Sequence, residues 1–331
     1  MSKAGSMSQG KNFGVFQFLY QYGTLITVLL LIVFFSFAAD NFLNYNNIIN
    51  ILRAISIVTI IAIGLTISLA VGGFDLSVGS TASLANAIVI SMFVWHGQNI
   101  GVGLAVTIAF CLVVGLVNAL LVINFKIQDM LMTLATMFVF QGVAMTYTRG
   151  ATVSQNMIMP SGEYATGKIP DIFGQLGKVP WIIIIMLLAV LVVHVFLNYT
   201  KHGRFMYMIG GNPEAAKLSG IAVSKYRLLA YLLSALFACI GGVILGARVM
   251  SAEVNSGGSY LMDAVAAAFI GYSVLGAGKP NAFGTFVGAV LIGILSNGLI
   301  MLSVPYYAMD IVKGSVLALA LGITYYKRNH A

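Results

Sequence analysis

The sequence predicts an all-α polytopic membrane protein of about ten spanning helices, and three observations lead there. Hydrophobic residues make up 60% of the chain and charged residues only 8%, with a mean hydropathy of +0.97, whereas a water-soluble chain carries about a quarter charged residues. The apolar residues gather in ten long stretches, most of them close to the roughly 20 residues that a spanning helix needs. No stretch between them is large enough for a soluble catalytic domain, so residues 1–331 read as a single transmembrane domain with spans over about 24–326.

The first stretch, Thr24–Ala39, follows Lys3, Lys11 and an aromatic segment, Phe13–Tyr20. That segment can lie flat at the interface or add turns to the first helix. Ser36-Phe37-Ala38 only vaguely suits a cleavage site, so the helix is read as retained. Ala54–Val71 and Val78–Val94 are parted only by Gly72–Ser77; Gly101–Ile123 and Met130–Thr148 follow. After a connection of about 149–180 come Trp181–Asn198, a charged connection of about 199–227, and Leu228–Val249. A short stretch, Met262–Leu275, then Phe283–Leu302 and Tyr307–Tyr326 complete the set.

Loop charge orients this arrangement. With the N-terminus inside, eleven Lys and Arg fall on the inner side, Lys201, Arg204, Lys217, Lys225 and Arg227 among them. Five, namely Arg53, Arg149, Lys168, Lys178 and Arg248, fall outside. That asymmetry follows the positive-inside bias, placing both termini in the cytoplasm of a multi-pass inner-membrane protein. The net charge of +8 then reflects orientation and attraction to anionic membrane lipid, not binding of nucleic acid.

Several chemistries find no support. No GxxxxGK[ST], GxSxG or HExxH motif occurs, and the four histidines are isolated from one another. Cys111 and Cys239 lie mid-span without CxxC spacing and read as inert buried thiols. The chain is therefore expected to carry no cofactor, no metal site and no ATP hydrolysis of its own. Any active transport must draw on an ion gradient or on another subunit.

The charged connection has a readable local code. Asn212 suits an N-cap, Pro213 the first helical position, and Glu214 the positive helix end. Gly220 can end the helix two turns later. A short, stiff, polar-faced helix standing off the membrane is expected, suited to receive a push from a motor subunit. The 149–180 connection can cap the external mouth or meet a soluble partner.

Polar groups inside apolar runs are costly and draw notice. Gly72 and Gly73 permit unusual backbone before Asp75 and Ser77, which can cap the next helix; a broken helix here would need water or protein around it. Asp263 opens the eighth stretch as another capping candidate, and Glu253, Asn255 and Tyr260 suit an outer mouth. Asn86, Asn118 and Asn297 can bond across helices or offer amides to a polar solute. Lys313 follows Asp310 by three residues, a spacing at which the two can neutralise each other. A faint internal repeat relates Gly115…Asn118-Ala119-Leu120 to Gly293…Asn297-Gly298-Leu299, as in duplicated transporters.

Taken in order, these motifs resemble the membrane permeases of bacterial ATP-binding-cassette importers for ribose, xylose, arabinose and galactosides. The likeness runs from Asn41-Phe42 to Tyr326. It rests on Phe42-Leu43-Asn44, on Gly73-Phe74-Asp75-Leu76-Ser77-Val78-Gly79, and on Gly211-Asn212…Ala215-Ala216…Leu218-Ser219-Gly220-Ile221. It rests also on Gly258…Tyr260…Asp263-Ala264…Ala266-Ala267. At 277–285 the chain has Ala277 and Pro280 where the family pattern has glycines. The resemblance implies a type II-like importer bundle, a homodimer or pairing with a related permease, a cytoplasmic P-loop ATPase that uses the ATP, and a periplasmic sugar-binding protein. It implies an ATPase-coupling role for Gly211, Asn212, Glu214, Ala215, Ala216, Ser219 and Gly220. Permeases for nucleosides or branched-chain amino acids, and an ion-coupled carrier, stay open as alternatives.

Overall fold

Asn44 opens the first long helix of the core. Its backbone is extended and its side chain accepts the Asn46 amide at 3.0 Å, so the chain enters α2 (Tyr45–Ala70) already capped. Apolar residues then run all round the helix, and from Ile55 to Ala70 every position is buried. A helix without a polar face belongs in a protein core or a membrane. The computed structural model describes residues 12–159, 162–272, 274, 278–305, 307–315 and 318.

The other long helices are α1 (Asn12–Ala38), α3 (Val78–Val94), α4 (Ile100–Phe125), α5 (Asp129–Tyr147), α7 (Trp181–Tyr199), α10 (Val223–Val249), α11 (Gly258–Gly271) and α12 (Ala282–Met301), of which α3, α7, α10, α11 and α12 pack on α2. Shorter helices, α6 (Asp171–Leu176), α8 (Lys201–Gly211) and α9 (Pro213–Leu218), lie in the connections. Two short strands, β1 (Val153–Ser154) and β2 (Ser251–Ala252), pair antiparallel with Val153 opposite Ala252. The protein is thus an all-α polytopic membrane fold.

Among the described residues six helices are long and apolar enough to cross a membrane: α2, α4, α5, α7, α10 and α12. The apolar helices Tyr22–Ala38, α3 and α11 are shorter. The tenth expected span begins as a helix over 307–315, and apart from 318 its remainder lies outside the described residues. The aromatic segment Phe13–Tyr20 is helical and continuous with α1, which resolves its two readings. The seventh expected span, α10, begins at Val223, not Leu228, and the second, α2, at Tyr45, not Ala54. Left-handed Lys126 and Met250 end α4 and α10 at positions where no glycine signals a stop.

The most extensive contacts run between α10 and its neighbours α2, α3 and α4. Small residues bring these helices together. A Cβ on Gly242 of α10 would run into the Ala82 carbonyl oxygen of α3, so only glycine allows that approach. Gly115 of α4 lies against Tyr231 and Ala235 of α10, and Gly293 of α12 lies against Ile55 of α2. The two glycines of the faint repeat therefore occupy matching crossings: the third helix of each half packs on the first helix of the other. Each half also has a long helix, an irregular connector and a short helix. The 26-residue α2 leads through 71–77 to the 17-residue α3; the 27-residue α10 leads through 250–257 to the 14-residue α11. The end of α2 meets Gly210 of α8, while α10 starts just after α9. The two long helices thus run in opposite directions.

Candidate functional site

The connector 71–77 is the first break, and side chains of three other helices hold it. Gly72 turns the chain with φ +74°. Asp75 is buried and accepts from the Ser77 amide at 3.0 Å, from Ser77 Oγ at 2.6 Å and from Ser234 Oγ of α10 at 2.7 Å. Asn118 Nδ2 of α4 donates to Ser77 Oγ at 2.7 Å. Thr133 of α5 accepts from the Leu76 amide at 3.1 Å and donates to the Phe74 carbonyl at 2.8 Å. Non-helical backbone inside an apolar bundle survives only with such partners. Ser77 stands at the N-cap of α3 but makes no capping bond; Asp75 fixes the turn before the helix instead of capping its amides.

One stripe of α10 serves this region. Arg227, Tyr231 and Ser234, at spacing i, i+4 and i+7, share a face. Arg227 pairs with Asp129 at 3.3 Å, Tyr231 Oη donates to the other Asp129 oxygen at 2.6 Å, and Ser234 reaches Asp75. Asp129 Oδ2 lies against Gly73, so the N-terminus of α5 abuts the break. Beside it a cavity of about 310 Å³ opens between the α4–α5 turn and the start of α10, lined by Lys126, Gln128, Asp129, Ser224 and Arg227.

The second break, 250–257, enters the bundle from the opposite end. The Gly257 amide donates to Ser83 Oγ at 2.9 Å, and Asn86 Nδ2 donates to Ser256 Oγ at 2.9 Å. The N-termini of α3 and α11 therefore meet inside the bundle. Asp263 does not cap α11: it lies in the second turn, and the N-cap Gly257 has no side chain to offer. Lys313 does not pair with Asp310 either. Its ammonium lies 3.0 and 3.1 Å from the two Asp263 oxygens, while Asp310 is exposed on the outer face of helix 307–315. Tyr260 sits one turn before Asp263 and is half-buried. Among the described residues Asn297 hydrogen-bonds to neither break and forms a reciprocal amide pair with Asn47, each bond 3.0 Å long.

The charged connection folds as two helices, one of them unforeseen. Thr200 caps α8 through the Gly203 amide at 3.1 Å. Asn212 caps α9 through the Ala215 amide at 3.0 Å, with Pro213 at its first turn. Ala216 is the buried foot of α9; Glu214, Ser219 and Gly211 are exposed. Ser219 Oγ donates back to the Ala215 carbonyl, and Gly220, at φ +80°, closes the helix where the sequence placed its end. Leu218 stands 88% exposed at the tip. The C-terminal half of α8 touches both halves of the bundle. Gly210 lies against Ala70 and Gly72, and Tyr207 Oη donates to the Pro280 carbonyl at 2.7 Å beneath Lys279, 4.3 Å above its ring. Burial pushes the Tyr207 phenol up to about 12, so at neutral pH it keeps its proton as a donor.

Sequence reasoning flagged Asp75, Ser77, Asn118 and the Asn212–Gly220 helix, which the structure places in two organised regions. It missed Asp129, Thr133, Tyr231, Ser234 and the Tyr207–Pro280 link. Of these only Asp129 carries a signal that could have found it, an acid immediately before an apolar run. Among the described residues no three His, Cys, Asp or Glu side chains gather in a set that could hold a metal.

Comparison with known proteins places this arrangement. A family model described as "Branched-chain amino acid transport system / permease component" matches residues 47–321. The chain is 35% identical to the ribose import permease of Escherichia coli (strain K12), over 94% of this chain and 96% of the relative. It is 36% identical to the ribose import permease of Bacillus subtilis (strain 168), over 90% and 91%. It is 32% identical to the xylose transport system permease of Haemophilus influenzae, over 91% and 95%. No solved structure matches the chain.

Proposed function

Since the chain belongs to the branched-chain amino acid transport system / permease component family, we propose that it is the membrane permease of an ATP-binding-cassette importer for a monosaccharide, a pentose or a hexose. The solute class is carried over from the ribose and xylose permeases it resembles along nearly its whole length.

In this reading two copies form the membrane unit, with the α8–α9 end and both termini in the cytoplasm. A separate P-loop ATPase docks on each copy and consumes the ATP. A periplasmic sugar-binding protein delivers the solute at the opposite end, beside the 149–180 connection. The observation that carries the coupling assignment is the form of α9. It is a capped six-residue helix with polar Glu214 and Lys217 and an exposed Leu218, rooted only by Ala216. A protein partner that covers this leucine would remove its apolar surface from water. The contacts of α8 with the end of α2 and with the turn before α12 give a displacement of α9 a direct route to both halves. Alternating access follows if such displacement rocks one half against the other.

Gentle solubilisation and affinity purification of the tagged chain from native membranes tests this. A P-loop ATPase recovered at near-equal amount, with ATP-dependent uptake of labelled ribose, xylose or galactose, is expected. Recovery of intact chain alone would overturn the coupled-importer reading. ATP-dependent uptake of leucine in place of sugars would keep the importer and change its solute.

A further inference from the structure

The Asp263–Lys313 pair is a pair of full charges amid apolar helices, and it is not sealed. The lysine and aspartate side chains retain 22% and 21% of their exposure. A charge in a spanning segment turns away from lipid, toward protein or a water-filled cavity. The surroundings favour water. The connector 253–257 dips into the bundle until Gly257 meets Ser83 of α3, and irregular backbone at that depth requires protein or water beside it. Along the same descent Glu253, Asn255 and Ser259 are exposed, followed by half-buried Tyr260, one turn before Asp263. Glu253, Asn255, Ser259 and Tyr260 therefore set polar groups between the β2 end of the bundle and the ion pair, beside exposed Met262. Among the described residues each of the two charged groups hydrogen-bonds only the other, and an ammonium carries three donors and a carboxylate about four acceptor sites.

We propose that the Asp263–Lys313 pair lies on the water-filled solute path and forms a polar subsite that bonds the hydroxyl groups of a neutral polyhydroxylated solute. This rests on the importer reading above. A paired acid and base suit such a cargo: together they offer donors and acceptors without net charge, so the solute is held briefly and released. Tyr260 supplies an aromatic face and one more hydroxyl at the same level.

Cysteine accessibility tests the placement without requiring transport. The native Cys111 and Cys239 are buried and give a low background. Ser259→Cys and Lys313→Cys are each made in the full chain, with Val192→Cys, on the exposed apolar face of α7, as the lipid-facing control. Intact membranes are treated with a membrane-impermeant cationic methanethiosulfonate. Labelling of the first two and not the third is expected, with loss of uptake after labelling of Ser259→Cys, which leaves the ion pair in place, and at least several-fold slower labelling in excess transported sugar. If Ser259→Cys and Lys313→Cys stay unlabelled until the protein is denatured, the path placement is wrong and the pair is sealed by protein or lipid. If they label without any protection by sugar, water reaches the site but the hydroxyl subsite is overturned. A failed ATPase recovery would refute the importer reading and leave the water-access result standing, so the two failures are distinct.

Discussion

Asp75 accepts three hydrogen bonds inside the bundle, and Ser234 gives it only one of them. Leaving a buried polar group unpaired costs about 1–3 kcal/mol. Asp75→Ala orphans the Ser77 amide, its hydroxyl and the Ser234 hydroxyl together, and loosens the hold of Asn118 on Ser77. Ser234→Ala removes one donor and leaves the turn intact. Thermal denaturation of the detergent-purified protein should therefore fall well below wild type for Asp75→Ala and only slightly for Ser234→Ala. Equal losses would show that Asp75 does not anchor the break. Asp75 was legible because an acid in an apolar run calls for an explanation. Ser234, Thr133 and Tyr231 were not, because serine and threonine sit in spans at little cost by bonding their own helix and a tyrosine there reads as a packed aromatic. Their actual partners lie 57 to 159 positions away. Lys313 shows the converse error. Asp310 is its neighbour along the helix, but the side chain turns inward to Asp263 from a different helix.

The helices α8 and α9 differ in how much their residues disclose. The cap, proline, acid and terminal glycine of α9 all act within nine residues, so its start and end follow from local chemistry. Only the Thr200 cap marks α8 locally, and its place depends on distant surfaces. Two adjacent glycines separate local conformation from contact. A Cβ on Gly210 would approach the Ala70 carbonyl oxygen to 2.5 Å and force α8 off the end of α2, whereas a Cβ on Gly211 meets open space. Both substitutions to alanine raise helix propensity by a similar amount, about 1 kcal/mol. Gly210→Ala should therefore depress ATP-driven uptake while the ATPase still co-purifies, and Gly211→Ala should transport normally. Equal behaviour of the two would remove the α8–α2 contact from the coupling route. A complementary change at the cap, Asn212→Ala, forfeits about 1 kcal/mol of α9 stability. It should weaken ATPase recovery in a pull-down without affecting the amount of permease in the membrane.

At the scale of the whole molecule the two halves are interlocked, not adjacent. α10 of the second half lies chiefly on α2, α3 and α4 of the first, and α12 packs on α2. The sequence hinted at this through one pair of glycine-containing segments but could not show that each binds the opposite half, because helix rotation and partner choice are properties of the assembled bundle. Separation would carry a specific penalty. Lipid replaces an apolar partner at little cost, since association in membranes rests on close packing and polar contacts. It cannot replace the groups that Arg227, Tyr231 and Ser234 engage on Asp129 and Asp75, and charges left facing lipid are costly. Cutting the chain after Gly162, in the connection between β1 and α6, tests the consequence. Residues 1–162 and 163–331 expressed singly should be degraded or aggregate on extraction. Expressed together they should co-purify and restore uptake, since β1–β2 pairing and the α10 contacts rejoin them across the cut. A second fragment that is monodisperse on its own would mean that α10 finds adequate partners within its own half. Substituting both Asp129 and Arg227 by leucine in the paired fragments then separates packing from polarity. Reassembly persisting in that double variant would assign the interlock to the glycine-lined crossings, and its loss would assign it to the buried charges.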